Sequence, residues 1–343
     1  MRILLNTLFV LSEDAYLSLD GENVVILKEE GPVSRFPLHT LEAILCFSYK
    51  GASPALMGAC AQRNICLSFY SPRGKFYCQT AGQSLGNVLL RREQFRRADS
   101  PLACRDLAQF FLTGKLYNSR WVLERTIRDH ALRVDVDRLK DVSRMLGSAI
   151  KSLQEQPNTD AMRGVEGAAA SQYFSVFDHL ILQNKSDFFF QGRSRRPPLD
   201  RMNAILSFVY TLLASDCAAA LRGVGLDPYV GFLHTDRSGR ASLALDLMEE
   251  LRPVLGDRFA LTLVNSRMIH PNQFELQDSG AVFLNEAGRK AVLSAWQEKK
   301  RDTLTHPFLR EKIPWGLVPY LQALLLSRYL RGDLDAYPPF LWK

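Results

Sequence analysis

The sequence predicts an α+β protein: a small N-terminal β-rich domain followed by a larger, all-α C-terminal domain. Three observations carry this. Alternation with a period of two dominates the first eighty or so residues. A cluster of Gly, Gln and Ser at Gly82–Asn87 then interrupts the pattern. Helical periodicity dominates everything after it. The chain has 343 residues, of which 47% are hydrophobic and 23% charged, a composition and length that suit two folded domains and exclude global disorder. The predicted division is residues 1–81 for the β-rich domain, 82–90 for a linker and 91–343 for the helical domain.

Taken in order, Met1-Arg2-Ile3-Leu4-Leu5 reads as an opening strand. It lacks the small-residue cleavage site of a secretory signal, and Ser12-Glu13-Asp14 ends the apolar run early. Ala15-Tyr16-Leu17-Ser18-Leu19 alternates into the turn signal Asp20-Gly21 and returns as Val24-Val25-Ile26-Leu27, a hairpin. A short helix over 54–62 has Ser53 as its N-cap. Ile65–Tyr70, a turn at Ser71–Gly74 and Lys75–Cys78 form a second hairpin. Helices are then predicted from Leu89 onward and over 103–116, 118–132, 139–155, 160–182 and 204–221. Asp187–Pro198 reads as an irregular loop. A helix over 243–255 follows, then a small hairpin of Phe274–Leu276 with Ala281–Leu284, and a helix from Glu286 to about Lys300 capped by Asn285.

Lys and Arg total 43 against 36 for Asp and Glu, a formal net charge of +7, which favours a polyanionic partner. The six cysteines, Cys46, Cys60, Cys66, Cys78, Cys104 and Cys217, form no Cys-x-x-Cys pair, which argues against structural zinc. They read as small buried hydrophobes in a reducing compartment. The longest apolar stretch, 204–221, contains Ser207, Ser215 and Asp216 and suits a bundle core better than a membrane span. A cytoplasmic protein with no membrane partner is the expectation.

The chemistry concentrates in Gly231-Phe232-Leu233-His234-Thr235-Asp236-Arg237-Ser238-Gly239-Arg240 and the helix after it. His234 stands at an element end before a turn. Asp246 and Glu249, three apart, share one helical face with apolar neighbours. Carboxylates on such a face are costly unless a cation neutralises them. The bland alternative makes His234 a helix cap and the two acids solvated. A third acid, Glu166, sits in Arg163-Gly164-Val165-Glu166-Gly167-Ala168-Ala169-Ala170. Glycine inside a helix costs roughly 1 kcal/mol against alanine, so two of them beside Glu166 imply a close approach: either a packed helix, or a DNA strand or metal-bound phosphate.

Glu166 in its Gly-Val-Glu-Gly-Ala-Ala setting, the Gly-Phe-Leu-His element and Leu-Ala-Leu-Asp-Leu-Met-Glu-Glu-Leu-Arg-Pro resemble the CRISPR adaptation integrase family, the "Cas-one" family. The resemblance spans essentially the whole chain. It includes the β-then-α order, Asn203 and Tyr210 in Asn-Ala-Ile-Leu-Ser-Phe-Val-Tyr, and the Asn265/Arg267 element. It implies Glu166, His234 and Glu249 as catalytic metal ligands, with Asp246 a supporting acid behind them. Some family members carry Asp where this chain has Glu249, which shortens reach by one methylene and keeps the donor type. The resemblance also implies a homodimer and a small dimeric "Cas-two" partner, and it is to a type I-C-like subtype.

Carboxylates with one imidazole suit Mg²⁺ or Mn²⁺. No Ser/Cys–His triad is evident and no Walker-type glycine loop supports ATP use. Arg91, Arg92, Arg163, Arg193, Arg195, Arg196, Arg237 and Arg252 are the candidates for DNA contacts, since the guanidinium fork suits phosphate. Tyr173 and Tyr210 could stack on DNA ends, although core packing explains each as well. His130, His179, His270 and His306 carry no assigned chemistry. The expected function is metal-dependent DNA cleavage and integration of captured DNA into a CRISPR repeat array, acting on double-stranded and branched DNA. Two other readings stand beside it: a non-catalytic basic scaffold that recruits a nuclease, which would tolerate Glu166→Ala and His234→Ala, and a stand-alone transposase-like integrase.

Overall fold

The computed structural model describes residues 7–10, 12–29, 31–41, 43–71, 76–80 and 88–343. The expected strand at Met1–Leu5, the turn at Pro72–Gly74 and the Gly82–Asn87 cluster lie outside them. The N-terminal part holds strands β1 (Thr7–Val10), β2 (Tyr16–Asp20), β3 (Asn23–Lys28), β4 (Gly31–Pro37) and β5 (Ala43–Cys46), helix α1 (Pro54–Gln62), then β6 (Cys66–Tyr70) and β7 (Phe76–Gln79). Strands β2, β3 and β4 form an antiparallel meander, its first turn made at Gly21 with φ +57°. The other sheet runs β1-β5-β6-β7, parallel except for β7. Helix α1 carries the chain between parallel neighbours β5 and β6, and Ser53 caps it by accepting from the Leu56 N–H at 3.2 Å. Leu17, Val24, Ile44, Leu56 and Leu67 are fully buried in this β-rich core.

The helical part begins earlier than the predicted linker allows. Helix α2 (Val88–Ala98) starts inside residues 82–90, and Leu90 is buried. It is followed by α3 (Pro101–His130), α4 (Val136–Gln154), α5 (Thr159–Ser175) and α6 (Arg201–Gly223). Helix α3 replaces the two helices expected over 103–132, because nothing near Tyr117 breaks the ladder. Helix α5 ends at Ser175, short of the expected 182, and the chain tightens into a 3₁₀ turn at Phe177–Leu180. Helix α6 is long and apolar enough to cross a membrane by length and composition, yet Met202, Ile205, Leu206, Val209 and Leu213 are packed into the helical core.

Helix α7 (Ser242–Leu251) continues through a wide π turn at Arg252–Asp257 into α8 (Arg258–Asn265). Pro253 has no N–H to donate, so the regular ladder is lost where the turn widens. The predicted hairpin forms as β8 (Phe274–Leu276) and β9 (Val282–Leu284), and α9 (Glu286–Arg301) is capped by Asn285, which accepts from the Gly288 N–H at 2.9 Å. A further pair, β10 (Thr303–Thr305) and β11 (Lys312–Pro314), precedes α10 (Val318–Arg331).

The two cores meet at aromatic residues. Phe47 stacks on Tyr70 with centroids 5.0 Å apart and touches Phe208 of α6 at 6.3 Å. The Tyr70 hydroxyl hydrogen-bonds Ser215. At the other end, residues 332–343 fold back over α3 and α7. The Asn118 amide donates to the Glu250 carbonyl at 2.6 Å and the Phe340 carbonyl at 2.7 Å, and accepts from the Trp342 N–H at 2.9 Å. The Glu250 side chain takes the Phe340 N–H at 2.7 Å, the Gln322 amide at 2.9 Å and the Tyr337 hydroxyl. The Trp342 indole lies between the Arg125 and Arg258 guanidiniums, 5.0 and 4.4 Å from its ring centre.

Candidate metal centre

Close approach of α3 to α7 sets the frame. A Cβ on Gly114 would fall 2.7 Å from the Glu250 Cβ, so only glycine lets these helices touch there. The contact brings the next residue, Lys115, alongside Glu249. The loop carrying His234 is pinned to the start of α7 in the same way. A Cβ on Gly231 would fall 2.8 Å from the Ser242 Cβ and 2.9 Å from Asp246 Oδ2. The Leu243 and Ala244 N–H groups donate to the Pro228 carbonyl at 2.9 and 3.2 Å, which supplies partners for the first turn of the helix.

Asp246 organises this loop. It is fully buried and its carboxylate accepts four hydrogen bonds. The Phe232 and Leu233 N–H groups donate to Oδ2 at 2.6 and 3.0 Å, and the His234 N–H donates to Oδ1 at 2.9 Å. The fourth is the His234 ring, whose Nδ1 lies 2.6 Å from Oδ1. A carboxylate can only accept, so Nδ1 carries a proton and Nε2 is the ring nitrogen not engaged with Asp246. A carboxylate behind a histidine in this way fixes the tautomer and orientation of a metal-ligating imidazole.

One turn along α7, Glu249 is 3% exposed. Its Oε1 accepts an ion pair from Arg252 at 2.8 Å, and its Oε2 lies 2.6 Å from Lys115 Nζ. Lys115 Nζ also hydrogen-bonds Glu166 of α5, so one ammonium bridges two carboxylates. Burial pushes the Glu249 carboxyl up, but Arg252, Lys115 and His234 outweigh it and hold the group at about 2. The buried Glu249 Oε2 is thus partnered by the Lys115 ammonium.

Behind Glu249, the Tyr210 ring lies between Arg252 and Arg193, at 4.9 and 5.3 Å from their guanidinium carbons. Its hydroxyl donates to Asp257, whose carboxyl burial pushes up to about 6. On the other side, positions for a Cβ on Gly164 and Gly167 meet nothing within 4 Å. The glycines flanking Glu166 therefore face open space and not a packed helix.

Residues 8–298 match the family model for CRISPR associated protein Cas1. The chain belongs to the Cas1 family. A Chlorobaculum tepidum protein named CRISPR-associated endonuclease Cas1 1 is 47% identical over 343 residues, covering all of both chains. Among solved structures, a casposase bound to an integration product superposes with TM-score 0.85 at 21% identity, over 99% of this chain and 95% of that one. A Cas6-RT-Cas1–Cas2 complex superposes with TM-score 0.81 at 21% identity, over 100% of this chain and 36% of that chain. Both share the fold.

In this Cas1-family fold, Glu249 and Glu166 converge on Lys115, and His234 is held beside them by Asp246. Among the described residues, no group of three or more His, Cys, Asp or Glu side chains is placed to hold an ion. The donors nevertheless fit a hard divalent cation. Two carboxylates bridged by one ammonium, with an imidazole whose Nδ1 is taken up by Asp246, offer hard oxygen donors and a ring nitrogen.

The expected arginines divide. Arg92, Arg195, Arg196 and Arg237 are exposed and Arg91 is half-buried, while Arg163 pairs with Asp160 within α5. Arg193 and Arg252 are placed differently from the exposed arginines. Both are turned inward onto Tyr210, and Arg193 donates to Asn203 Oδ1 at 2.7 Å and the Ser194 carbonyl at 2.6 Å. Tyr173 is 3% exposed and packs between Phe174 and Phe177. Cys78 is exposed, unlike the buried Cys46, Cys60 and Cys217, because it lies on β7. Lys115 was missed by the sequence reading, although a lone lysine in Phe110-Phe111-Leu112-Thr113-Gly114-Lys115-Leu116 is a signal that something anionic awaits it.

Proposed function

We propose that the chain is a divalent-metal-dependent DNA endonuclease and integrase that inserts captured DNA into a CRISPR repeat array, with Glu166, His234 and Glu249 holding Mg²⁺ or Mn²⁺. The observation that carries this is the single face of α7 on which Asp246 fixes His234 and Glu249 is joined to Glu166 through Lys115. An ion held there supplies Lewis acidity at a phosphoryl oxygen and stabilises charge on the leaving oxygen. The chain's own residues do the rest. Asp246 keeps the His234 proton on Nδ1 and the ring in place. Arg252 anchors Glu249 while itself held against Tyr210. The open surface at Gly164 and Gly167 lets a DNA backbone approach Glu166 without meeting a side chain.

In integration the nucleophile is the 3′-hydroxyl of the incoming DNA; in cleavage it is water. Exposed Arg92, Arg195, Arg196 and Arg237 hold phosphates and set position without reading sequence. The substrates are double-stranded and branched DNA in the cytoplasm. The Cas6-RT-Cas1–Cas2 complex among its fold neighbours supports a Cas2-like partner, with which the chain works as a homodimer.

The deciding experiment incubates purified protein, Mn²⁺ or Mg²⁺ and a branched DNA with wild type, Glu166→Ala and His234→Ala. Both variants are expected to lose cleavage and strand transfer while keeping DNA affinity. Full activity in either would leave the chain a DNA-binding scaffold.

A further inference from the structure

The buried side chain of Lys115 occupies the space between the two carboxylates of the site, within 2.6 Å of Glu249 and hydrogen-bonded to Glu166. We infer that Lys115 is a resident counter-cation for the metal centre, a positioning residue that keeps Glu166 and Glu249 assembled without an ion and must withdraw for a divalent ion to enter. The inference rests on those two carboxylates being metal ligands.

The charges make the case. The two carboxylates Glu166 and Glu249 are matched one for one by Lys115 and Arg252 before any ion arrives. A divalent ion added with Lys115 still in place would confront two nearby cations in a buried setting, where like charges repel strongly. Of the two, Lys115 is the one able to move. Arg252 is fixed by its ion pair and by stacking on Tyr210. Lys115 ends in a point charge on a flexible four-carbon stem, beside the open face at Gly164 and Gly167. An ammonium in that place prevents the two carboxylates from repelling one another.

Mn²⁺ titration by electron paramagnetic resonance, with thermal melts in the presence and absence of saturating Mn²⁺, tests this without DNA or turnover. Lys115→Met is expected to tighten Mn²⁺ binding by at least about tenfold, because the ion no longer displaces a buried partner. The ion-free protein should melt several degrees lower and the Mn²⁺-loaded protein close to loaded wild type. Unchanged or weaker Mn²⁺ binding overturns the inference. If Lys115→Met folds neither with nor without Mn²⁺, Lys115→Arg decides: its bulkier permanent charge should weaken Mn²⁺ binding below wild type, and an unchanged affinity overturns the inference. Glu166→Gln and Glu249→Gln separate the two levels of the reading. If both keep wild-type Mn²⁺ affinity, the ligand assignment fails. If both lose it while the Lys115 variants bind as wild type, only the role of Lys115 fails.

Discussion

At the scale of single residues, the pair His234–Asp246 makes the clearest demand. Asp246→Asn keeps the shape but gives two N–H donors to a place where four donors already point. Mn²⁺ affinity should fall by roughly 10- to 100-fold, with the fold retained by circular dichroism. Glu249 makes a demand on pH. Its carboxyl is lowered from 4.5 to about 2, so its ion pairs contribute stability that is fully present above about 4.5 and lost as pH falls through about 2. In acid titrations of the ion-free protein, Glu249→Gln should be less stable than wild type near neutrality, and the difference should shrink over that window. A constant difference would mean that the pairing with Arg252 and Lys115 contributes little. Much of this site was legible in the sequence, because Asp246 and Glu249 announce themselves by i,i+3 spacing and Glu166 by its glycines. Lys115 was not, because its partner Glu166 is 51 residues away and only the packing of α3 on α5 joins them.

At the scale of elements, the glycines of α3 and α5 should respond oppositely to the same change. Gly114→Ala places a methyl group 2.7 Å from the Glu250 Cβ and forces α3 from α7. A loss of roughly 1–3 kcal/mol is expected in denaturant titration. Gly164→Ala and Gly167→Ala meet no neighbour and replace a poor helix former, so each should add up to about 1 kcal/mol to the free protein. If a DNA strand passes this face, the same two changes should weaken duplex binding in a filter assay. Equal DNA affinity would place the strand elsewhere. Sequence reading located most elements through periodicity and caps, as at Ser53 and Asn285. It failed where local signals are weak or misleading. A continuous α3 has no punctuation at Tyr117, Pro253 widens a turn without ending the helical run, and the three-residue strands β10 and β11 depend on pairing with each other.

At the scale of the molecule, the net charge of +7 sets the interaction with DNA. Exposed Arg195 and Arg196 should contribute through phosphates, so their double replacement by Ala should flatten the salt dependence of duplex binding. The log–log slope should change by about 0.9 for each phosphate left without its arginine. Two unrelated duplexes should weaken by similar factors. An unchanged slope would mark this loop as ordinary surface. The fold-back of residues 332–343 has a practical corollary. Phe340 and Tyr337 grip Glu250, and Glu250 is the next residue after Glu249, so residues 332–343 are laced to the back of the proposed metal centre. Replacing Tyr337 by Phe, which takes its hydroxyl from Glu250, would loosen α7 from the far side. An engineer who treats residues 332–343 as a free handle would be editing the proposed metal centre without touching it.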